Sequence, residues 1–168
     1  VNTEMDMLVA IYMTTAVCIV LGMAFSRSRL LSDVLGVFFL GLQATLAAYG
    51  VLNVHSTELQ YFTFDGLGLV LLLSLSVISL PFLIHSRIYL RKPMAPLHSA
   101  AVYNASSILL IAAMSLGCLA NHIAVTWIFT EITTLSAAML IYHHRSKLAL
   151  EATWKYVFVC AVSICFVF

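Results

Sequence analysis

The chain has 168 residues, 62% of them hydrophobic and only 9% charged, with a net charge of +1 at pH 7; an ordinary soluble domain is about half apolar and about a quarter charged. That composition excludes a soluble enzyme, a nucleic-acid-binding module and a disordered tail, and the small net charge offers nothing to a polyanion. The fold it predicts is all-α: a polytopic transmembrane helix bundle in the lipid bilayer, one membrane domain over residues 1–168.

The apolar runs are Met7 to Phe25, Val34 to Leu52, Gly66 to Ile84, Ala100 to Ala120 and Ile123 to Tyr142. Each has about 20 residues, enough to cross about 30 Å of hydrocarbon at about 1.5 Å per residue. A sixth begins at Trp154 and is still apolar at Phe168. Counted from Val157 it rises about 18 Å, too little to cross, so the expectation is five full spans plus a truncated sixth. The first run is a retained helix and not a secretory signal, because Glu4 and Asp6 precede it and no small-residue cleavage pattern follows. Pro81 is expected to adjust a terminus of span three, and Gly117 to relax the end of span four before the two-residue connection Asn121-His122. Small pairs, Ala113 with Gly117 and Ala44 with Ala48, predict close helix contacts.

Lys and Arg should gather on alternate connections, the cytoplasmic ones. All eight do: Arg27 and Arg29 in the first, Arg87, Arg91 and Lys92 in the third, and Arg145, Lys147 and Lys155 in or beside the fifth. The amino-terminal tail and second connection instead hold Glu4, Asp6, Glu58 and Asp65. The expected orientation therefore places the amino terminus outside.

Glu131 is the ionisable group deep within an intact span, about 12 Å along the helix from Ile123 and about 16 Å from Tyr142. Such a group costs about 2.5–3.5 kcal/mol at mid-membrane, while each large apolar residue of the span returns about 0.3–0.6. The helix can insert, but the carboxyl consumes most of its driving force. Two readings are open: a proton-carrying or ion-coupling carboxyl, or a protonated Glu that only fixes packing through a hydrogen bond. A conducting carboxylate is commonly relayed through other titratable groups. Lys155 is expected at the edge of span six and His122 near the opposite face, each at one end of a route, and neither is expected to pair directly with Glu131.

Other chemistry is sparse. Cys18, Cys118, Cys160 and Cys165 form no C-x-x-C and are read as small core hydrophobes. His55, His85 and His98 fall in connections, and the adjacent His143-His144 pair does not share a helical face, so no metal site and no cofactor is expected. Ser106, Ser107 and His122 are loose candidates for an intramembrane nucleophile and base, and no spacing singles them out. No catalytic residue is assigned, and the chain alone is not expected to be an enzyme.

Ala120-Asn121-His122-Ile123, Trp127, Glu131-Ile132-Thr133-Thr134-Leu135 and Leu150-Glu151-Ala152-Thr153-Trp154-Lys155-Tyr156 resemble the antiporter-like membrane subunits shared by respiratory complex I, Mrp cation/proton antiporters and membrane-bound hydrogenases. Within that family the stretch is most similar to the F component of hydrogenase-4, and Asp65-Gly66-Leu67-Gly68 fits the same pattern. The resemblance covers residues 117 to 160, with His122 standing where the hydrogenase-like pattern usually has a second Asn. It implies a multi-pass subunit of the bacterial inner membrane, the amino-terminal part of a larger fold. Its partners would be other membrane subunits of an oxidoreductase assembly in which redox energy drives proton or cation movement. Glu131 would match the family's essential carboxylate, whose partner is a Lys on a helix beyond this sequence. The alternative is a truncated, non-conducting structural or assembly element.

Overall fold

The computed structural model describes residues 2–25, 29–52, 61–90, 97–144 and 146–167. They form six helices: α1 (Asn2–Phe25), α2 (Arg29–Leu52), α3 (Gly66–Leu90), α4 (Leu97–Leu119), α5 (Ile123–Ile141) and α6 (Lys147–Val167). A 3-10 turn, Tyr142–His144, joins the last two. All six are long and apolar enough to cross a membrane. The all-α, multi-span expectation is met. Of the charges that set the expected orientation, Arg27, Glu58, Arg91, Lys92 and Arg145 lie outside the described residues, as does His55.

α6 begins seven residues before Trp154. Its full length rises about 31 Å, because Leu148-Ala149-Leu150 and Ala152 extend the apolar pattern backward past Glu151. Pro81 does not end α3, which continues to Leu90. What the proline removes is the N–H that would bond the Val77 carbonyl.

A simple spacing sets which face of each helix is buried. On α1 the buried residues are Val9, Tyr12, Ala16, Ile19 and Met23, and on α2 Ser32, Gly36, Phe39, Gln43, Leu46 and Gly50, with Ala47 beside Leu46. Alternating steps of three and four keep one stripe facing a neighbour. The remaining faces stay apolar and exposed, as lipid contact requires. α4 is the central helix: 56% of its span is buried, and it packs against α1, α2, α3 and α5. α6, with 6% buried, packs on α5 and the turn before it.

Ala113 is buried, as expected of a contact residue, but Ala44 and Ala48 are exposed and Ala47 faces inward instead. Gly117 stays helical and does not relax the end of the helix; a Cβ there would make only an ordinary contact, 3.6 Å from that of Phe129. The cysteines correct the core expectation: Cys18 and Cys165 are exposed, Cys118 and Cys160 half-buried. Sulfur is apolar enough to face lipid, so burial is not required of it.

Hydrophobic attraction between helices is weak in lipid, so packing and interhelical hydrogen bonds hold the bundle. The Gln43 side chain joins four helices. Its Oε1 accepts from the Tyr12 hydroxyl at 2.6 Å, and its Nε2 donates to Ser115 Oγ at 2.8 Å and Ser76 Oγ at 3.2 Å. Toward the other end, Asn104 Oδ1 accepts from Ser86 Oγ and its Nδ2 donates to Ser32 Oγ, both at 2.9 Å. Beside it the Arg87 guanidinium bonds the Asp33 backbone carbonyl and pairs with its carboxylate at 3.2 Å. This is the basic end of the bundle, where α2 and α4 begin and α3 stops.

At the opposite end, residues 61–64 run antiparallel to the end of α4. Thr63 N–H donates to the Leu119 carbonyl and Asn121 N–H to the Tyr61 carbonyl, both at 2.8 Å. Asp65 then starts α3, its carboxylate accepting from Leu67 N–H at 3.4 Å. Gly68 lies so close to α4 that a Cβ would sit 2.5 Å from the Cys118 carbonyl oxygen. A glycine is required there because the neighbour is backbone and cannot rotate aside.

These contacts set the stability of the bundle in a way that substitution can read. Gln43→Leu leaves the buried Tyr12 hydroxyl without its partner and should destabilise the bundle by about 1–3 kcal/mol in thermal unfolding in micelles. Tyr12→Phe added to it should restore most of the loss, because Ser76 and Ser115 retain carbonyls of their own helices. Gly68→Val should lower the melting temperature more than Gly41→Val, a site where an added Cβ would meet nothing within 4 Å.

Candidate functional site

α5 carries six hydroxyl or carboxyl side chains between Thr126 and Ser136, and its own backbone absorbs most of their polarity. Thr126, Thr130, Thr133, Thr134 and Ser136 each donate to a carbonyl three or four residues back, at 2.7 to 3.2 Å. Satisfied hydroxyls of this kind cost little in hydrocarbon. Glu131 is the group this device cannot absorb.

Glu131 is half-buried. Its Oε2 accepts from Thr134 Oγ1 at 3.4 Å, one turn on, and that hydroxyl also lies 2.9 Å from the Glu131 backbone carbonyl. The buried Phe129 is two positions away, about 200° around the helix, so the carboxyl side chain starts on the face turned from α4. Its helical neighbours Trp127, Ile128 and Leu135 are exposed, while Ala138, two turns on, is buried. The face is therefore covered toward the α5–α6 turn and open around and before Glu131.

Lys155 lies two turns inside α6, not at its edge. Its ammonium is 2.5 Å from Glu151 Oε1, and both side chains are largely exposed. Measured from the α5–α6 turn, Lys155 is about 12 Å along α6 from Lys147, and Glu131 about 15 Å along α5 from Ile141. The two are at comparable depth, and Lys155 forms its ion pair with Glu151.

His122 is the N-cap of α5, with extended backbone (φ −130°, ψ 131°), and its Nδ1 accepts from Ala124 N–H at 3.2 Å. Its exposed ring meets Tyr61 edge to face, centroids 6.0 Å apart. An Asn at this position would cap equally well. His85 is in the last turns of α3 and not in a connection; it stacks on Tyr89 at 6.4 Å. His98 lies in the first turn of α4. Ser106 and Ser107 are buried in α4, and Ser107 donates to the Tyr103 carbonyl at 2.9 Å. α4 continues about 18 Å from Ser107 to its end at Leu119 before the chain reaches His122, so these candidate side chains do not meet. No cluster of three or more metal-ligating groups occurs among the described residues.

Sequence reasoning missed Gln43 and Asn104, although they are the amide side chains within the long apolar runs, which was the available signal. It also missed the aromatic contact that seats the α5–α6 turn. There His143 meets Tyr103 at 4.8 Å and Tyr89 at 6.0 Å.

No protein-family model and no solved structure matches the chain. Over 109 residues, 62% of its length, it is 28% identical to a hydrogenase-4 component F homolog of Methylacidiphilum infernorum (isolate V4). The matched region spans 23% of that relative, so the chain corresponds to about a quarter of the length of the curated protein it is similar to.

Proposed function

We propose that these helices are part of an antiporter-like subunit of a hydrogenase- or complex I-like membrane complex, in which Glu131 carries protons or cations across the bilayer. The observation that carries this reading is the placement of Glu131: an acid at the middle of α5, half-buried, on a face the described helices leave open. Left against lipid, the charge would cost about 2.5–3.5 kcal/mol. A covering helix that brings a mid-membrane donor or cation relieves that cost and supplies the partner that proton exchange needs. The similarity to a hydrogenase-4 component F homolog supports the same assignment.

In this reading the basic end, with Arg87 and Lys147, faces the cytoplasm of a bacterial cell, and the amino terminus lies outside. Thr134 orients the carboxyl. Lys155, at similar depth on the next helix, relays charge toward the basic end, exchanging its Glu151 partner for an incoming proton site. The chain contributes the translocation path and not the redox chemistry.

Glu131→Gln, made in the assembled complex, should reduce coupled proton movement at least about tenfold, a barrier change of about 1.4 kcal/mol, while leaving assembly and electron transfer intact. Proton uptake into inverted vesicles, read beside complex yield, checks this. Full pumping in the Gln variant would establish the other reading, a packing hydrogen bond from a protonated Glu131.

A further inference from the structure

The cap on α5 is made by a group that can lose its ability to cap. We propose that His122 is a proton-sensitive fastener: neutral, it holds the first turn of α5, and protonated, it releases it.

The first bonds of α5 all converge on this residue. Thr126 N–H donates to the His122 carbonyl at 2.9 Å, Thr126 Oγ1 donates to the same oxygen at 3.2 Å, and Ala124 N–H donates to the ring Nδ1 at 3.2 Å. An Nδ1 that accepts carries no proton, so the neutral ring holds its proton on Nε2. Adding a second proton places it on Nδ1 and removes the lone pair that Ala124 N–H uses. The resulting positive charge also lies at the positive end of the helix dipole, which disfavours it. Both effects act in one direction.

The ring is exposed, so protons reach it from bulk water. Among the described residues, the titratable group against it is Tyr61, whose ring meets it edge to face and whose carbonyl is tied to the same turn by Asn121 N–H. A phenol stays neutral where imidazoles titrate. Just before α3, Asp65 accepts from Leu67 N–H of its own helix, and the last turn of α4 carries the Cys118 thiol. The geometry fixes the sign: the neutral form is the one that caps, so the stabilisation is present at higher pH and is lost when falling pH protonates the ring. The fastener lies about 13 Å along the helix from Glu131. Its protonation would loosen the end of that helix remote from the basic end, whatever Glu131 itself does.

The test is amide hydrogen exchange of the whole chain in nanodiscs of neutral lipid, read on the peptide covering residues 123–128 and corrected for the intrinsic pH dependence of exchange. Protection should fall about fivefold between about pH 7.5 and about pH 5.5, the loss of one cap worth about 1 kcal/mol. In His122→Asn, whose side chain caps without titrating, protection should be the same at both values. Equal protection of the natural chain at both pH values, or an undiminished drop in the Asn variant, overturns the proposal. Neither result bears on Glu131, which is tested separately by proton uptake.

Discussion

Hydrocarbon supplies no hydrogen-bond partners, so each polar group inside this bundle must find its counterpart in the protein. Gln43 shows the consequence. Its amide is held between four helices by Tyr12, Ser76 and Ser115. The apolar residues around it, such as Phe39, Leu46, Leu72 and Ile108, fill space but do not choose the arrangement, since lipid would receive them as readily. Asn104, Ser32 and Ser86 repeat the device about 16 Å along α4 from Ser115, so the bundle is pinned at two heights.

The same constraint separates the two kinds of polar residue on α5. Threonines and serines return their hydroxyls to the helix backbone and become nearly invisible to the membrane. Glu131 has one such bond, from Thr134, and a second oxygen for which no hydrogen bond is seen among the described residues. Its position opposite Phe129 starts the side chain on the face turned from the helix that α5 packs against most closely. The amides of Gln43 and Asn104 point inward and are bonded, while the buried Thr63 hydroxyl has no hydrogen-bond partner among the described residues. Glu131 is half-buried and has one side-chain hydrogen bond, from Thr134, which sets it apart from the amides.

Much of this is legible in the sequence. Length and composition give five full apolar spans and the start of a sixth, because a membrane span has to be long and uncharged, whatever its surroundings. Glu131 is conspicuous for the same reason. The buried face of each helix is not legible: in water the apolar side is the inner side, whereas here Val9 and Val17 are equally apolar and only one is buried. Ala44, Ala48 and the four cysteines therefore carry no sequence signal that separates a helix contact from a lipid contact. Pro81 reads as a terminus only if a helix needs every backbone bond, and a long helix can lack one. α6 begins early because the polar Glu151 and Lys155 satisfy each other across one turn and let the helix run through them. The role of His122 depends on backbone angles that spacing does not encode.

The helices are attached in series. α1 to α4 form a block around one central member, α5 leans on that member, and α6 leans on α5 and its turn. Gly68, pressed to the Cys118 carbonyl, and the aromatic seat at His143 fix the two ends of the α4–α5 hairpin to the block. Among the described residues, any push on α6 therefore passes inward through the helix that bears Glu131, with both ends of that helix anchored. Such an element behaves as a beam clamped at its supports, where a sideways load bends the middle most.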